Sequence, residues 1–296
     1  MLSFKTVGLA DMETLRACFA AAPSRSSDFT AGAVVMWRNY FETQYALHAG
    51  SLLLQYRLLE GGHRTAFNMP LGGDVAGALR ALEAHCAQEG LPMLLCSVTE
   101  EELAVLRSLY PLRELTGNPD WSDYLYLAED LRTLTGRRYN GQRNHINYFR
   151  RAYPDYRFEE THPADMEELL SFYKHSGRVD IKDSDYFQME QETVFEVLGH
   201  YAEYGFFGGI IRAQDSIVAF SMGEIVGDTL FVHIEKANPA YRGAYQMMVH
   251  EFVKRYASPG ALYVNREEDC GDDGLRRSKQ SYHPCQMIDK YLVEIG

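Results

Sequence analysis

The segment Ala10-Asp11-Met12-Glu13-Thr14-Leu15 returns as Ala164-Asp165-Met166-Glu167-Glu168-Leu169, and a phenylalanine stands the same distance before each copy, Phe4 and Phe158. An aspartate followed at the third residue by Thr or Glu, ahead of an apolar run, is also how an ordinary capped helix begins. The echo constrains the fold because a similar order of elements follows each copy. A chain of 296 residues has room for two units of about 150 residues each.

In the first half a short strand near Phe4 leads to a helix with Met12, Leu15, Cys18 and Phe19 on one face, the spacing of an amphipathic helix. A second helix is expected over Ala33 to Phe41. Ser51 to Leu59 then alternates as a strand, Glu60-Gly61-Gly62-His63 turns, and Arg64 to Met69 returns as a hairpin. Asp74 caps a helix that carries Val75, Ala78, Leu79, Leu82 and Cys86 and ends at Gly90. A strand Met93 to Val98, a helix Glu100 to Leu109 and a strand Asp123 to Leu127 complete the half.

The second half repeats the pattern. A strand Tyr156 to Glu159 precedes a helix from Asp165 with Met166, Leu169, Leu170 and Tyr173 on one face, and a second helix spans Met189 to Tyr204. Strands follow at Phe206 to Arg212, Ile217 to Ile225 and Thr229 to Glu235. The next helix places Tyr245, Met248, Val249, Phe252, Val253 and Tyr256 at helical spacing. A strand Ala261 to Asn265, a helix Gly274 to Tyr282 and a strand Met287 to Val293 close the chain.

Composition narrows the class. With 46% hydrophobic and 24% charged residues the chain is of ordinary globular type. No apolar run approaches the roughly 18 to 20 residues of a membrane helix, and no signal-like start is present, so a cytoplasmic protein is expected. The five cysteines are scattered and never form a C-x-x-C pair, which indicates neither a disulfide framework nor a zinc site. A net charge of -12 excludes coating of nucleic acid or an anionic membrane by bulk attraction. Any polyanionic partner must meet a local patch. The one strongly basic stretch lies between Leu131 and Pro154, where Arg132, Arg137, Arg138, Arg143, Arg150 and Arg151 occur without any Asp or Glu.

The second half reads β-α-α-β-β-β-α-β-α-β and the first follows it with one strand fewer before its third helix, an order that resembles the GNAT acyltransferase fold. Two copies in a row resemble the tandem-GNAT aminoacyltransferases. The strings RRYNGQRNHINYF from Arg137 and VNREEDCGDDGLRRSKQSYHP from Val264 point further, together with Phe29-Thr30-Ala31-Gly32, Trp37 and Asp123-Tyr124-Leu125-Tyr126. These resemble the soluble proteins related to the C-terminal domain of phosphatidylglycerol lysyltransferase. The resemblance implies an α+β fold of two tandem GNAT-like domains, each a mostly antiparallel mixed sheet flanked by helices. The expected division is a first unit over 1–130, a basic connecting helix over 131–154, and a second unit over 155–296 that carries the site.

The same resemblance implies aminoacyl transfer from a charged tRNA to an amine or hydroxyl acceptor. An acyl-CoA-dependent N-acyltransferase is the alternative enzyme, and a ligand-binding or regulatory protein on a degenerate GNAT fold is the alternative of another class. The donor co-substrate is thus aminoacyl-tRNA or acyl-CoA, and no metal is expected. The acceptor is left open among small molecules, peptides and lipid headgroups, and a tRNA partner would use the local basic patch.

Acyl transfer to an amine needs a base for the ammonium and an acid for the leaving group. Glu235, at a strand end before the phosphate-type loop, stands where a GNAT base often sits, with His233 on the same strand face. Tyr282 stands where a GNAT acid often sits. Asn265, Arg266, Glu267 and Glu268 fall at a strand end, where side chains converge on a crevice. There the carboxylates could hold a cationic substrate and Arg266 could orient a carboxylate. Arg242, Gly243 and Ala244 fit a shortened GNAT phosphate turn at a helix N-terminus. The corresponding turn of the first unit ends in Asp74, which would repel phosphate, so that unit is expected to be inactive. Arg143 and Asn147 share a polar face of the connecting helix and could bind a phosphate or carboxylate.

Overall fold

The computed structural model describes residues 2–58, 60–176, 185–257 and 260–296. Leu59, which the alternation assigns to the end of a strand, lies outside the described residues. The chain divides into two compact units, one of residues 1–123, 268–270 and 287–296, the other of 124–267 and 271–286.

The first unit begins with β1 (Lys5–Thr6), α1 (Met12–Ala21) and α2 (Ala31–Met36). There follow β2 (Gln44–His48), β3 (Ser51–Leu58), the single turn α3 (Glu60–His63) and β4 (Arg64–Phe67). Then come α4 (Val75–Glu89), β5 (Leu94–Val98), α5 (Glu100–Leu109) and β6 (Leu112–Gly117). The hairpin and the caps of α4 form as the sequence predicts. β3 pairs β4 antiparallel, Asp74 Oδ1 accepts from the Gly77 N–H at 2.9 Å, and Gly90 terminates α4 at φ +66°. Thr99 and Glu102 form a capping box on α5, which satisfies amides that the first helical turn leaves bare.

The chain continues as β7 (Asp123–Leu127), α6 (Ala128–Thr133), α7 (Asn140–Ala152), β8 (Arg157–Glu160) and α8 (Met166–Ser176). After α9 (Asp185–Gly199) and α10 (Tyr201–Tyr204) come β9 (Phe207–Ala213), β10 (Ser216–Val226) and β11 (Thr229–Ala237). The last elements are α11 (Ala244–Tyr256), β12 (Tyr263–Asn265), α12 (Asp273–Gln280), β13 (Gln286–Ile288) and β14 (Tyr291–Ile295).

Two seven-stranded sheets result, ordered β1-β2-β3-β4-β5-β14-β6 and β13-β7-β12-β11-β10-β9-β8. Each holds a parallel pair (β4 with β5, β11 with β12) among antiparallel ones. The fold is therefore α+β with two mostly antiparallel sheets flanked by helices, in tandem GNAT-like order. The last strands are exchanged. β14 pairs antiparallel with β5 and β6 and buries Val293 in the first core beside Phe67, Leu79, Leu82 and Leu95. β7 pairs antiparallel with β12 in the second sheet.

Division at 130 and 155 assigns β7 to the first unit and β14 to the second, whereas each strand pairs in the other sheet. Alternation marks a strand but not the sheet it joins, because side-chain period carries no information about the partner. The basic segment is likewise no free linker: α6 and α7 pack on α11 inside the second unit. In that unit α11 buries Met247, Met248, Val249, Phe252 and Val253, side chains whose burial stabilises by about 2 kcal/mol each. This fixes the end of β11 and everything that projects from it.

Candidate active site

The second sheet parts at a defined place. β11 pairs β12 in parallel only through Thr229, Leu230 and Phe231 opposite Tyr263, Val264 and Asn265, after which β12 ends while β11 runs on to Ala237. On its other side β11 bulges. Met222 faces Ile234 and Gly223 faces Val232, so His233 is the residue left over. A Cβ at Gly223 would run into the Phe231 carbonyl, which reserves that position for glycine. The bulge and the end of β12 together open a notch between β11 and the chain that follows Asn265.

Three ion pairs lie at the notch. Arg266 Nη2 donates to Glu235 Oε1 at 2.7 Å, and the His233 ring meets Glu267 Oε1 through Nδ1 at 2.8 Å and Glu224 Oε1 through Nε2 at 3.1 Å. The guanidinium lies over the rings of Tyr282 at 4.9 Å and Tyr126 at 5.9 Å, an arrangement that suits a planar cation. Arg266 is 8% exposed, and its Nη1 is buried with no hydrogen-bond partner. An unpaired donor on a buried cation is costly. Arg266 Nη1 is thus a buried cationic donor beside Glu235 that the described residues leave unbonded.

His233 is held as an imidazolium. A carboxylate faces each ring nitrogen, so a neutral ring would turn a lone pair toward one of them. Burial, the largest influence, lowers its pKa. The hydrogen bonds from Glu224 and Glu267 outweigh burial and push it up to about 9. The ring is shut in by Phe206 and Phe231 and its side chain is fully buried. His233, a catalytic candidate in the sequence beside Glu235, is a buried cation that locates Glu267. Burial pushes the Tyr282 hydroxyl above its ordinary range, against the nearby Arg266 and with Glu235 adding to the rise. At neutral pH it is a proton donor.

The chain after β12 is shaped by its own side chains. The Asn265 Oδ1 accepts from the Glu267 N–H at 2.6 Å, and Glu267 takes φ +57°, a conformation that costs a non-glycine residue about 1 kcal/mol or more. Lys279 of α12 holds it there, donating from Nζ to the Arg266 carbonyl at 2.6 Å and the Glu267 carbonyl at 3.2 Å. The Tyr126 hydroxyl donates to the Lys279 carbonyl at 2.8 Å. Sequence reasoning missed Lys279, Tyr126 and Glu224. Tyr126 and Lys279 lie within the strings that carry the family resemblance, and Glu224 is a lone carboxylate in the apolar strand Ser216–Val226.

Other expected residues lie elsewhere. Glu268 belongs to the first unit, where it faces Lys290 at 3.7 Å beside Asp28 at 2.5 Å and Asp123 at 2.7 Å. Arg143 ties down the start of α7, donating to the carbonyls of Leu134 and Gly136 and to Asn140 Oδ1. Both of its terminal nitrogens thus bond to the protein itself. Asn147 is exposed, and its carbonyl accepts from Arg151. Gly243 does cap α11 at φ +91°, but a Cβ there would meet the His145 carbonyl at 2.5 Å, and Ala244 is 1% exposed. Helix α7 therefore lies against the turn where a GNAT pyrophosphate would rest. Arg242 points outward over the Tyr148 ring at 4.6 Å. The corresponding turn of the first unit is also filled: a Cβ on Gly73 would meet Gly50 at 2.5 Å.

Among the described residues no helix is long and apolar enough to cross a membrane, and no group of three or more His, Cys, Asp or Glu is arranged to hold a metal ion.

Comparisons with known proteins agree with this architecture. A family model described as phosphatidylglycerol lysyltransferase, C-terminal, matches residues 19–294. A conserved protein of unknown function from Bacteroides thetaiotaomicron is 33% identical over 100% of both chains, with a TM-score of 0.92. L-PGS from Bacillus licheniformis shares the fold at 13% identity, covering 96% of this chain and 91% of that one, with a TM-score of 0.64. An uncharacterised curated protein of Mycoplasmoides gallisepticum is 26% identical over 200 residues. That match covers 67% of this chain and 63% of the relative, less than two thirds of its length.

Proposed function

The chain belongs to the phosphatidylglycerol lysyltransferase C-terminal family, and from that premise we propose that it moves an aminoacyl group from an aminoacyl-tRNA to an amine or hydroxyl acceptor. Family and fold support an acyltransferase of the aminoacyl-transferase and GNAT type. The observation that carries the finer reading is the buried, unpartnered Arg266 Nη1 beside Glu235.

In this reading the ester carbonyl of the donor lies at the notch between β11 and the chain after Asn265. Glu235 takes the proton of the acceptor as its nitrogen or oxygen attacks that carbonyl. The new bond forms while the carbonyl pair moves onto oxygen, and Arg266 Nη1 donates to the resulting oxyanion. When the bond to the ribose oxygen breaks, Tyr282 gives a proton to that leaving oxygen, and the proton taken up by Glu235 then restores the Tyr282 hydroxyl. His233 and Lys279 act through Glu267, holding the loop that presents Arg266. The packing of α7 on Gly243 and Ala244 favours a donor without a CoA pyrophosphate. Such an enzyme would act in the cytoplasm, where charged tRNA is made.

The test is a transfer assay with aminoacyl-tRNA labelled in the amino acid. Amino acids, peptides and phosphatidylglycerol vesicles serve as acceptors, and acetyl-CoA is the competing donor. Enzyme-dependent appearance of label in an acceptor supports the reading. Acetyl transfer without aminoacyl transfer overturns it.

A further inference from the structure

The basic segment that the proposed chemistry does not use forms a face of its own. Within it, ion pairs take up Arg132 (Glu129), Arg138 (Asp130) and Arg150 (Glu251), and Arg143 is bound by backbone carbonyls. Arg137 and Arg151 remain, and among the described residues no carboxylate lies within ion-pair distance of either or of Arg242. Arg137, Gly141, Asn144, Tyr148 and Arg151 recur at helical spacing along α7 and the short turn before it, and all are exposed. The face is about 20 Å long at the helical rise per residue.

Its chemistry is selective. No acidic residue occurs from Leu131 to Pro154, in a chain whose net charge is -12. Tyr148 is 39% exposed, and the exposed Arg242 guanidinium lies over its ring at 4.6 Å. An aromatic ring paired with a planar cation stacks on an unpaired base without regard to its sequence. A Cβ at Gly141 would meet nothing within 4 Å, so no packing demand explains glycine there.

We infer that this face docks the acceptor end of a transfer RNA, an inference that rests on the aminoacyl-tRNA reading of the donor. Arg137, Arg151 and Arg242 bind backbone phosphates, and Tyr148 with Arg242 stacks on an unpaired base of the single-stranded end.

The experiment is fluorescence anisotropy with uncharged tRNA and with an acceptor-stem minihelix, titrated with salt. The R137Q/R151Q/R242Q protein is expected to lower the slope of log affinity against log salt by about two to three, since each lost phosphate contact removes somewhat less than one. Y148A is expected to weaken binding about fivefold or more. R132Q and R138Q, whose charges are already paired, leave affinity and slope unchanged, and thermal melts confirm that each variant folds. In the transfer assay the triple variant raises KM for charged tRNA and leaves kcat as it was. An unchanged slope in the triple variant overturns the inference. So does binding of phosphatidylglycerol vesicles, but not tRNA, through these residues. If transfer proceeds with KM unchanged in the triple variant, the docking face falls and the functional reading stands. If tRNA binds here but no aminoacyl group is transferred, the functional reading falls and the face stands.

Discussion

Arg266 donates Nη2 to the Glu235 carboxylate at 2.7 Å while its Nη1 stays buried without a partner. One half of the guanidinium fixes the carboxylate, and the proposed chemistry assigns the other half to a substrate oxygen. Replacing Arg266 with alanine should destabilise the fold by about 3 kcal/mol, because Glu235 loses its partner in a largely buried place. Arg266→Lys should retain most of that stability yet lose transfer, since an ammonium cannot serve Glu235 and a substrate oxygen along two fixed directions. Urea unfolding and the transfer assay on both variants separate the two effects.

His233 predicts a pH dependence of stability. Its folded value near 9 lies above the ~6.5 of an unfolded chain. The contribution is therefore complete below that unfolded value and is lost as pH climbs through the folded one. Its size is on the order of 3 kcal/mol. Unfolding free energies at pH 6 and pH 10 should converge between wild type and His233→Gln as the pH rises. A difference that stays constant would contradict the imidazolium assignment.

The turn before α11 predicts indifference to coenzyme A. With α7 against Gly243, coenzyme A and acetyl-CoA should leave Tm unchanged, whereas a site filled at a hundred times its Kd would add about 2.7 kcal/mol. Gly243→Ala should cost about 2 kcal/mol or more, from both the left-handed backbone and the approach to the His145 carbonyl. Thermal melts test each.

In the first unit, Lys290 is 5% exposed and is clamped by Asp28 and Asp123, with Glu268 close by. Lys290→Met should destabilise by about 3 kcal/mol or more, leaving buried carboxylates without their cation. The loss appears as a lower urea midpoint with the slope unchanged.

The local patterns explain what could be read in advance. The caps at Asp74 and Gly90, the hairpin of β3 and β4 and the buried stripe of α11 are short-range features, and each formed where its residues predict. That Glu235, Arg266 and Tyr282 lie near one another was legible, because strand ends and the helix that follows them converge. The exchange of β7 and β14 was not, since strand partners are chosen across the whole chain. Nor were the pairing of His233 with Glu224 and Glu267 or the hold of Lys279 on the backbone. These depend on the bulge at His233 and on side chains far apart in sequence. Glu268 shows the limit most plainly: it adjoins Glu267 in the chain, yet it pairs in the other unit.

The most direct test of the account is the rate of aminoacyl transfer by Glu235→Gln, measured in a single turnover with labelled aminoacyl-tRNA and whichever acceptor the wild type uses. The substitution keeps shape and an oxygen for Arg266 but removes the base. A fall in rate of about a hundredfold or more, with tRNA binding unchanged, is the predicted result. Transfer within about twofold of wild type, far short of the loss expected for a general base, would contradict the assignment of the chemistry to this notch.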